Sequence, residues 1–329
     1  MSEAGSPEVL CLGETMALVT PTAPIALADA ESFSLVAAGA ESNVAVHLAG
    51  LGHRAGWVSR LGSDPLGRRI LSALSAAGVR TSLVGEHPNA PTGVYFKDPA
   101  PTGTRVHYYR SGSAASTMDE TVVSGAVADD PDVLHLSGIT PALSDGCDRL
   151  VERLLTRARR NLVSFDVNHR PALWTAEQAA PRLRELAQHA DLVFVGLDEA
   201  RALWGARTPD EVADVLSGPS TVVVKDADVA AHALGERSAS VPSPAVRVVE
   251  PVGAGDAFAA GYLAGLLRGL DGTRCLRLGH LVAAHSLRST ADHAPLPAEQ
   301  DLAHWLDRSD AEWRALTFPH ETADSGVHP

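Results

Sequence analysis

The sequence predicts an α/β fold: a doubly wound, mostly parallel sheet flanked by helices, with a small β-sheet lid. Three observations predict it. Short apolar runs rich in β-branched residues alternate with stretches of helical spacing along most of the chain. That rhythm breaks once, between about residues 91 and 112, where two aromatic-rich runs follow each other with no helix between them. Near three-quarters of the length, a β-branched run meets a glycine-rich turn and then an Ala/Leu-rich helix.

Taken in order, Glu8–Gly13 is a first buried strand, followed to Phe33–Ala37 by two short extended pieces around a Pro-rich turn. Val44, Leu48 and Leu51 recur at helical spacing in Ser42–Leu51, and Gly52 stops that helix. Gly56–Gly62 is a strand. Pro65–Ala77 is a helix with Asp64 at its N-cap and proline just inside. Strand, helix and strand in succession imply parallel pairing with right-handed crossovers. Thr92–Lys97 and Arg105–Arg110 form a hairpin across a Pro/Gly turn. Strands follow at Asp132–Leu136, Asn161–Asp166, Asp191–Val195 and Thr221–Val224, with helices at Leu143–Arg160, Ala176–His189 and Glu199–Trp204. An all-β stretch covers about 229–249, its last strand being Ala245–Val249. Helices Asp256–Leu267 and Thr273–Ser289 close the pattern. The expected organisation is one unit over 8–314, with lid segments at about 16–38 and 91–112. Residues 1–7 and 317–329 are expected to be frayed tails.

A chain of 329 residues with 45% hydrophobic content can bury a large core. The formal charge of -13 argues against a nucleic-acid partner, whose affinity would come from Lys and Arg on phosphates. Cys11, Cys147 and Cys275 are odd in number and far apart, which fits a reducing cytoplasm. Met1–Pro7 is polar with no positive stretch before an apolar core, and no apolar run has membrane-spanning length, so neither a signal peptide nor a membrane is expected.

Chemistry concentrates in the stretch Glu250-Pro251-Val252-Gly253-Ala254-Gly255-Asp256. Glycines there let the backbone approach a ligand, and the first amides of the following helix have no internal acceptor and favour an anion. A phosphate at those amides would lie beside Asp256, which could accept a proton. Such a pairing suits phosphoryl transfer to a hydroxyl. The same residues also suit a plain helix cap and tight turn. Three further groups accompany it. Gly39 precedes a helix on which Asn43 offers a donor and an acceptor to a polyol. Tyr108 and Arg110, two apart on one strand face with Tyr95 on the partner strand, could clamp a carboxylate. Asn168 and Arg170 follow an apolar strand, where ligands of open α/β sheets bind. No His-Glu-x-x-His or similar cage points to a metal held by protein alone.

Together these motifs resemble the pfkB (ribokinase-like) family of carbohydrate kinases, over about residues 8–305. Its N-terminal signature is similar to Gly39–Asn43 with Gly62-Ser63-Asp64, and its C-terminal one to Pro251–Phe258. Within the family the likeness is greatest to 2-keto-3-deoxygluconate kinases, through Ala38-Gly39-Ala40-Glu41, Tyr108-Tyr109-Arg110, Asp166–Trp174 and Asp292. The resemblance implies ATP and Mg²⁺. It implies Asp256 as the base, and an anion hole from the amides of Gly253, Ala254 and Gly255. A keto-acid pocket of Gly39, Ala40, Glu41, Asn43, Tyr95, Tyr108, Arg110, Arg170 and Asp292 is implied with them. Asn168, Arg170, Lys225 and His280 fall on the nucleotide side, and Glu199 on the water shell of magnesium. A homodimer or higher homo-oligomer through the lid is also implied.

Departures cluster on the donor side. Lys225–Ala230 has no glycine where the family has a glycine-bearing loop. Glu250 and Val252 stand where Asp and Thr are usual, which disfavours a monovalent-cation site; Gly196 and His280 also depart from the pattern. The expected activity is phosphorylation of 2-keto-3-deoxygluconate at its terminal hydroxyl. The alternatives are a fructokinase or other neutral-sugar kinase, or a sugar-acid sensor with little catalysis.

Overall fold

A computed structural model describes residues 6–100, 103–122, 131–288 and 296–318. Strands β1 (Val9–Leu12), β2 (Met16–Pro21) and β3 (Phe33–Ala38) precede helix α1 (Ala40–Gly50). Then come β4 (Ala55–Gly62), α2 (Pro65–Ala76), β5 (Arg80–His87), β6 (Val94–Ala100) and β7 (Gly103–Tyr109). The alternating part follows as β8 (Val133–Ser137), α3 (Asp145–Thr156), β9 (Leu162–Asp166), α4 (Ala176–Ala187), β10 (Leu192–Gly196), α5 (Leu197–Trp204), α6 (Pro209–Val215) and β11 (Thr221–Asp226). Strands β12 (Ala230–Gly235), β13 (Ala239–Pro242) and β14 (Ala245–Val246) lead to α7 (Ala254–Leu267) and α8 (Gly272–Leu287). Helices α9 (Glu299–Leu306) and α10 (Asp310–Arg314) and strand β15 (Thr317–Phe318) complete the described chain.

The main sheet runs β13-β12-β11-β10-β9-β8-β1-β4-β5. It is parallel from β11 to β5, with β12 and β13 added antiparallel at one edge. From β1 the chain moves outward to β4 and β5, then returns to β8 on β1's other side. The order therefore reverses between β1 and β8, and the crevice at such a reversal opens at the carboxyl ends of the strands. A second sheet, β3-β2-β6-β7, is the expected lid.

Alternate residues of the central strands feed two cores. Phe194 packs with Trp57 and Tyr262 on the face covered by α1, α7 and α8, whereas Val193 and Val195 join Phe165 and Leu183 under α3–α6. The Phe194 ring meets Tyr262 of α7 edge-on at 5.4 Å. Among the described residues no helix is long and apolar enough to cross a membrane, and the three cysteines are free and buried.

Several expectations need correction. Ala245–Val249 is not a strand of the main sheet. Only Ala245–Val246 pair, and their partner is Thr317–Phe318, residues expected in a frayed tail. Val248 and Val249 are exposed, and the N–H groups of Val249 and Glu250 donate to Leu287 O at the end of α8. β-Branched sequence gave the propensity, but the edge of the main sheet is β13 and the segment turns to Thr317–Phe318 instead. The helix expected over Leu143–Arg160 is shorter at both ends: Ser144 caps its start, accepting from Cys147 N at 3.2 Å, and Arg157 turns to extended backbone after Thr156. Strand β5 had no sequence signal: it lies at the sheet edge, largely half-buried, with polar residues throughout.

Phe194→Ala should cost about 3–5 kcal/mol in urea unfolding, because the emptied space lies between rigid sheet and helix. A loss below ~1 kcal/mol would mean that the α7 face does not depend on this ring.

Candidate active site

Helices α1 and α7 both begin at the carboxyl-end crevice. Gly39, in extended conformation, is the N-cap of α1, and a Cβ there would run into the carbonyl of Glu14. Gly253 is the N-cap of α7 at φ 85°, a left-handed conformation that glycine adopts without strain. Asn43 from the first turn of α1 donates through Nδ2 to Oδ2 of Asp256, in the first turn of α7, at 2.9 Å. Among the described residues the N–H groups of Gly253 and Gly255 have no hydrogen-bond acceptor, while that of Ala254 is loosely engaged by Pro251 O at 3.4 Å. Two open helix-terminal donors therefore stand beside a carboxylate, the arrangement that holds an anion next to a base.

That carboxylate belongs to a residue 8% exposed. Burial pushes Asp256 up to about 6, although the Asn43 hydrogen bond and the charges of Arg170 and Lys225 favour the ionised form. Lys225 ends its buried run on β11, with Nζ 2.8 Å from Asp166 Oδ2. Burial alone would lower its pKa, but the carboxylates of Asp166 and Glu199 outweigh that and hold it above the usual lysine value. A Cβ on Gly255 would lie 3.5 Å from this Nζ, so the ammonium borders the open amides. Lys225 is thus a wall of the site itself; expected to begin a loop, it lies within β11, paired with Ala231 of β12.

The β9 loop supplies two buried oxygens without a partner, Asp166 Oδ1 and Asn168 Oδ1. Asn168 sits at φ 41°, a backbone setting uncommon for a residue with a side chain and tolerated best by Asn and Asp. Arg170 is exposed, with Nη1 3.3 Å from His169 O. Glu199, expected beside magnesium water, ties two loops together: its oxygens accept from His169 N and Gly196 N, both at 2.8 Å. Burial and neighbouring Asp166 raise its pKa. No group of three or more His, Cys, Asp or Glu side chains among the described residues could hold a metal by itself.

A second cluster lies under the lid. Tyr95 and Tyr108 are paired across β6 and β7, their rings 5.5 Å apart, and the Arg110 guanidinium stands 5.7 Å from the Tyr108 ring centre. Arg110 is ion-paired to Glu14, whose other oxygen accepts from Ser113 Oγ at 2.5 Å. Arg110 Nε is buried without a partner, a donor left open toward a ligand acceptor.

Of the expected residues, the structure brings Asn43, Asp256, Gly253, Gly255 and Lys225 together, and groups Tyr95, Tyr108 and Arg110. Ala40 opens α1 directly after Gly39. Two expectations are corrected. Glu41 does not line an open pocket. It is fully buried, accepting from Ser137 Oγ at 2.6 Å and Thr140 Oγ1 at 3.0 Å, and burial pushes it up to about 7. His280 is a core residue: its ring packs against Phe258 at 5.2 Å and Trp313 at 6.4 Å, and its Nε2 lies 3.1 Å from Val241 O. Asp292 lies outside the described residues. Sequence reasoning missed Glu14, whose signal was its place just after the first parallel strand.

Comparison with known proteins agrees with this geometry. The pfkB family carbohydrate kinase pattern matches residues 6–299. The chain is 35% identical over 308 residues to a 2-dehydro-3-deoxygluconokinase of Bacillus subtilis (strain 168), covering 91% of this chain and 95% of that one. It is 33% identical over 306 residues to one of Thermoproteus tenax, covering 91% and 94%. A solved PfkB protein from Polaromonas sp. JS666 is similar at 36% identity and TM-score 0.81, covering 90% of this chain and 99% of that one.

Burial of Asp256 also bears on stability. Between the usual carboxyl value of 3.8 and about 6, the folded chain holds this proton more tightly than the unfolded chain. Its contribution to stability therefore falls as pH rises through that window. Asp256→Asn should be more stable than the native chain at pH 7, by on the order of 1–3 kcal/mol, with the gap closing toward pH 4. Urea unfolding of both proteins from about pH 4 to 7 measures it; a constant gap would mean that the carboxylate is not strained by burial.

Proposed function

The chain belongs to the pfkB family of carbohydrate kinases, and we propose that it transfers the γ-phosphate of ATP to the terminal hydroxyl of 2-keto-3-deoxygluconate, giving the 6-phosphate and ADP. The observation that carries the proposal is the buried Asp256 carboxylate, held by Asn43 beside the open N–H groups of Gly253 and Gly255. Relatives named for this activity cover nearly the whole chain, which supports the same reading.

In this mechanism the sugar hydroxyl lies against Asp256 Oδ1 or Oδ2. Asp256 takes its proton as the oxygen bonds to the γ-phosphorus, and the bond from phosphorus to the β-bridging oxygen breaks to release ADP. The amides of Gly253 and Gly255 stabilise negative charge that grows on the phosphoryl oxygens. Lys225, fixed by Asp166, adds a positive charge at the same edge. Magnesium bound with the nucleotide would neutralise phosphate charge. The buried unpartnered oxygens Asp166 Oδ1 and Asn168 Oδ1 fit its water shell.

On the acceptor side, Tyr95, Tyr108 and Arg110 under the lid, with Gly39 and Asn43 at α1, take the sugar acid. The open Nε of Arg110 suits its carboxylate. Glu250 Oε2 is paired with Lys97, which supports a reaction without a monovalent cation at that loop. We take residues 8–314 as one kinase unit acting in the cytoplasm. The outward lid face, with Phe33 and Tyr109 exposed, suits contact with a second copy.

Asp256→Asn should lower kcat about 10²–10⁴-fold in a coupled ADP-release assay. In the native enzyme kcat should rise with pH through about 6, as the base ionises. Near-native turnover of the variant would remove Asp256 from this role. Arg110→Ala should raise KM for the keto-acid roughly ten- to hundredfold, the weight of a charge-assisted hydrogen bond. Phosphorylation of neutral fructose should change little; an equal loss on both would point to a neutral-sugar kinase.

A further inference from the structure

Strand β6 carries two inward-facing side chains two residues apart, Tyr95 and Lys97, and both residues are buried. Tyr95 stands in the cluster with Tyr108 and Arg110. Lys97 leaves the lid: its Nζ reaches Glu250 Oε2 at 3.0 Å, across 153 residues of sequence. Glu250 begins the turn into α7. Its Oε1 accepts the N–H of Val252 at 3.1 Å, and its own N–H is bonded to Leu287 O at 3.2 Å. Gly253, whose N–H is open, follows three residues later. The ion pair is largely buried, with side chains 6% and 22% exposed, so loss of Lys97 leaves the Glu250 carboxylate poorly solvated. One strand therefore touches the sugar-side tyrosines with one side chain and holds the phosphate-side turn with the next.

We infer that Lys97 and Glu250 are a positioning pair through which the lid and the amide cradle of α7 set each other's geometry. A sugar seated against Tyr95 fixes β6, β6 fixes Glu250 through Lys97, and Glu250 fixes the turn that presents the Gly253 and Gly255 amides. Linkage requires the reverse as well: a phosphate on those amides steadies the lid and tightens the sugar. This rests on the kinase reading above, but its readout is binding rather than turnover.

The test uses the full chain with Lys97→Met, Glu250→Gln and the double variant. Calorimetry measures the Kd of 2-keto-3-deoxygluconate with and without saturating ADP and inorganic phosphate, and thermal melts check folding. In the native chain the nucleotide ligands should tighten the sugar about 5-fold or more. Each single variant should bring that ratio close to one, leave sugar binding alone within about 3-fold, and lower kcat roughly tenfold. The double variant should lose no more than either single one, as members of one pair do. Native-like ratios in the single variants, additive losses in the double one, or absence of any tightening in the native chain would overturn the inference. So would melting of both single variants below assay temperature, which would make the pair a structural clamp only. If the chain binds the sugar acid with the expected coupling but phosphorylates none, the pair stands and the proposed reaction falls.

Discussion

The site depends on keeping a carboxylate away from water without neutralising it. Asp256 Oδ2 is held by the Asn43 amide in a place only 8% open to solvent. Both residues sit in first turns, so the bond exists only because α1 and α7 begin at the same end of the sheet. Around it the fold also buries Asp166 and Glu41 and half-buries Glu199, with the Lys225 ammonium set among them. A carboxylate in this position would ordinarily be protonated or washed by solvent. Here burial and the surrounding charges bring it to about 6, basic enough to accept a proton and still ionised at neutral pH.

The lid contributes on a different principle. Its four strands come from two separate visits of the chain, and β3 runs directly into α1. Glu14 joins the two regions: it follows β1, its side chain is wholly buried, and it pairs with Arg110. The guanidinium is thereby oriented before any ligand arrives, which lowers the entropic cost of binding. Its charge is already balanced by Glu14, so the proposed selectivity for an acid rests on the open Nε and on geometry more than on bare attraction.

Much of this was legible in the residues. Alternating apolar runs identified the central strands because parallel strands covered on both faces are apolar throughout, as the wholly buried Leu192–Gly196 illustrates. Gly253 and Asp256 were legible as open helix-terminal donors beside a carboxylate, although the same residues also suit a plain cap and turn. What escaped were features that depend on distant partners. Ala245–Val249 had strand propensity, yet the sheet edge was already formed by β13. Glu41 lay within a motif of pocket residues but points beneath Gly13 toward Ser137, which no local pattern reveals. His280 was placed on the nucleotide side by resemblance alone, and its surroundings are those of a core residue. Glu14 and Arg110 are almost a hundred positions apart, so their pairing had no signature in either segment.

The short parallel ladder between Ala245–Val246 and Thr317–Phe318 ties the last described strand to the approach of the phosphate turn. Arg247 N extends it by donating to Phe318 O at 3.3 Å, only three positions before Glu250. Trp313 adds a rivet nearby, its indole N–H on the Pro242 carbonyl at 2.9 Å. A truncation or fusion junction that encroaches on Phe318 would therefore loosen the route into α7, although the sequence distance between the two exceeds sixty residues.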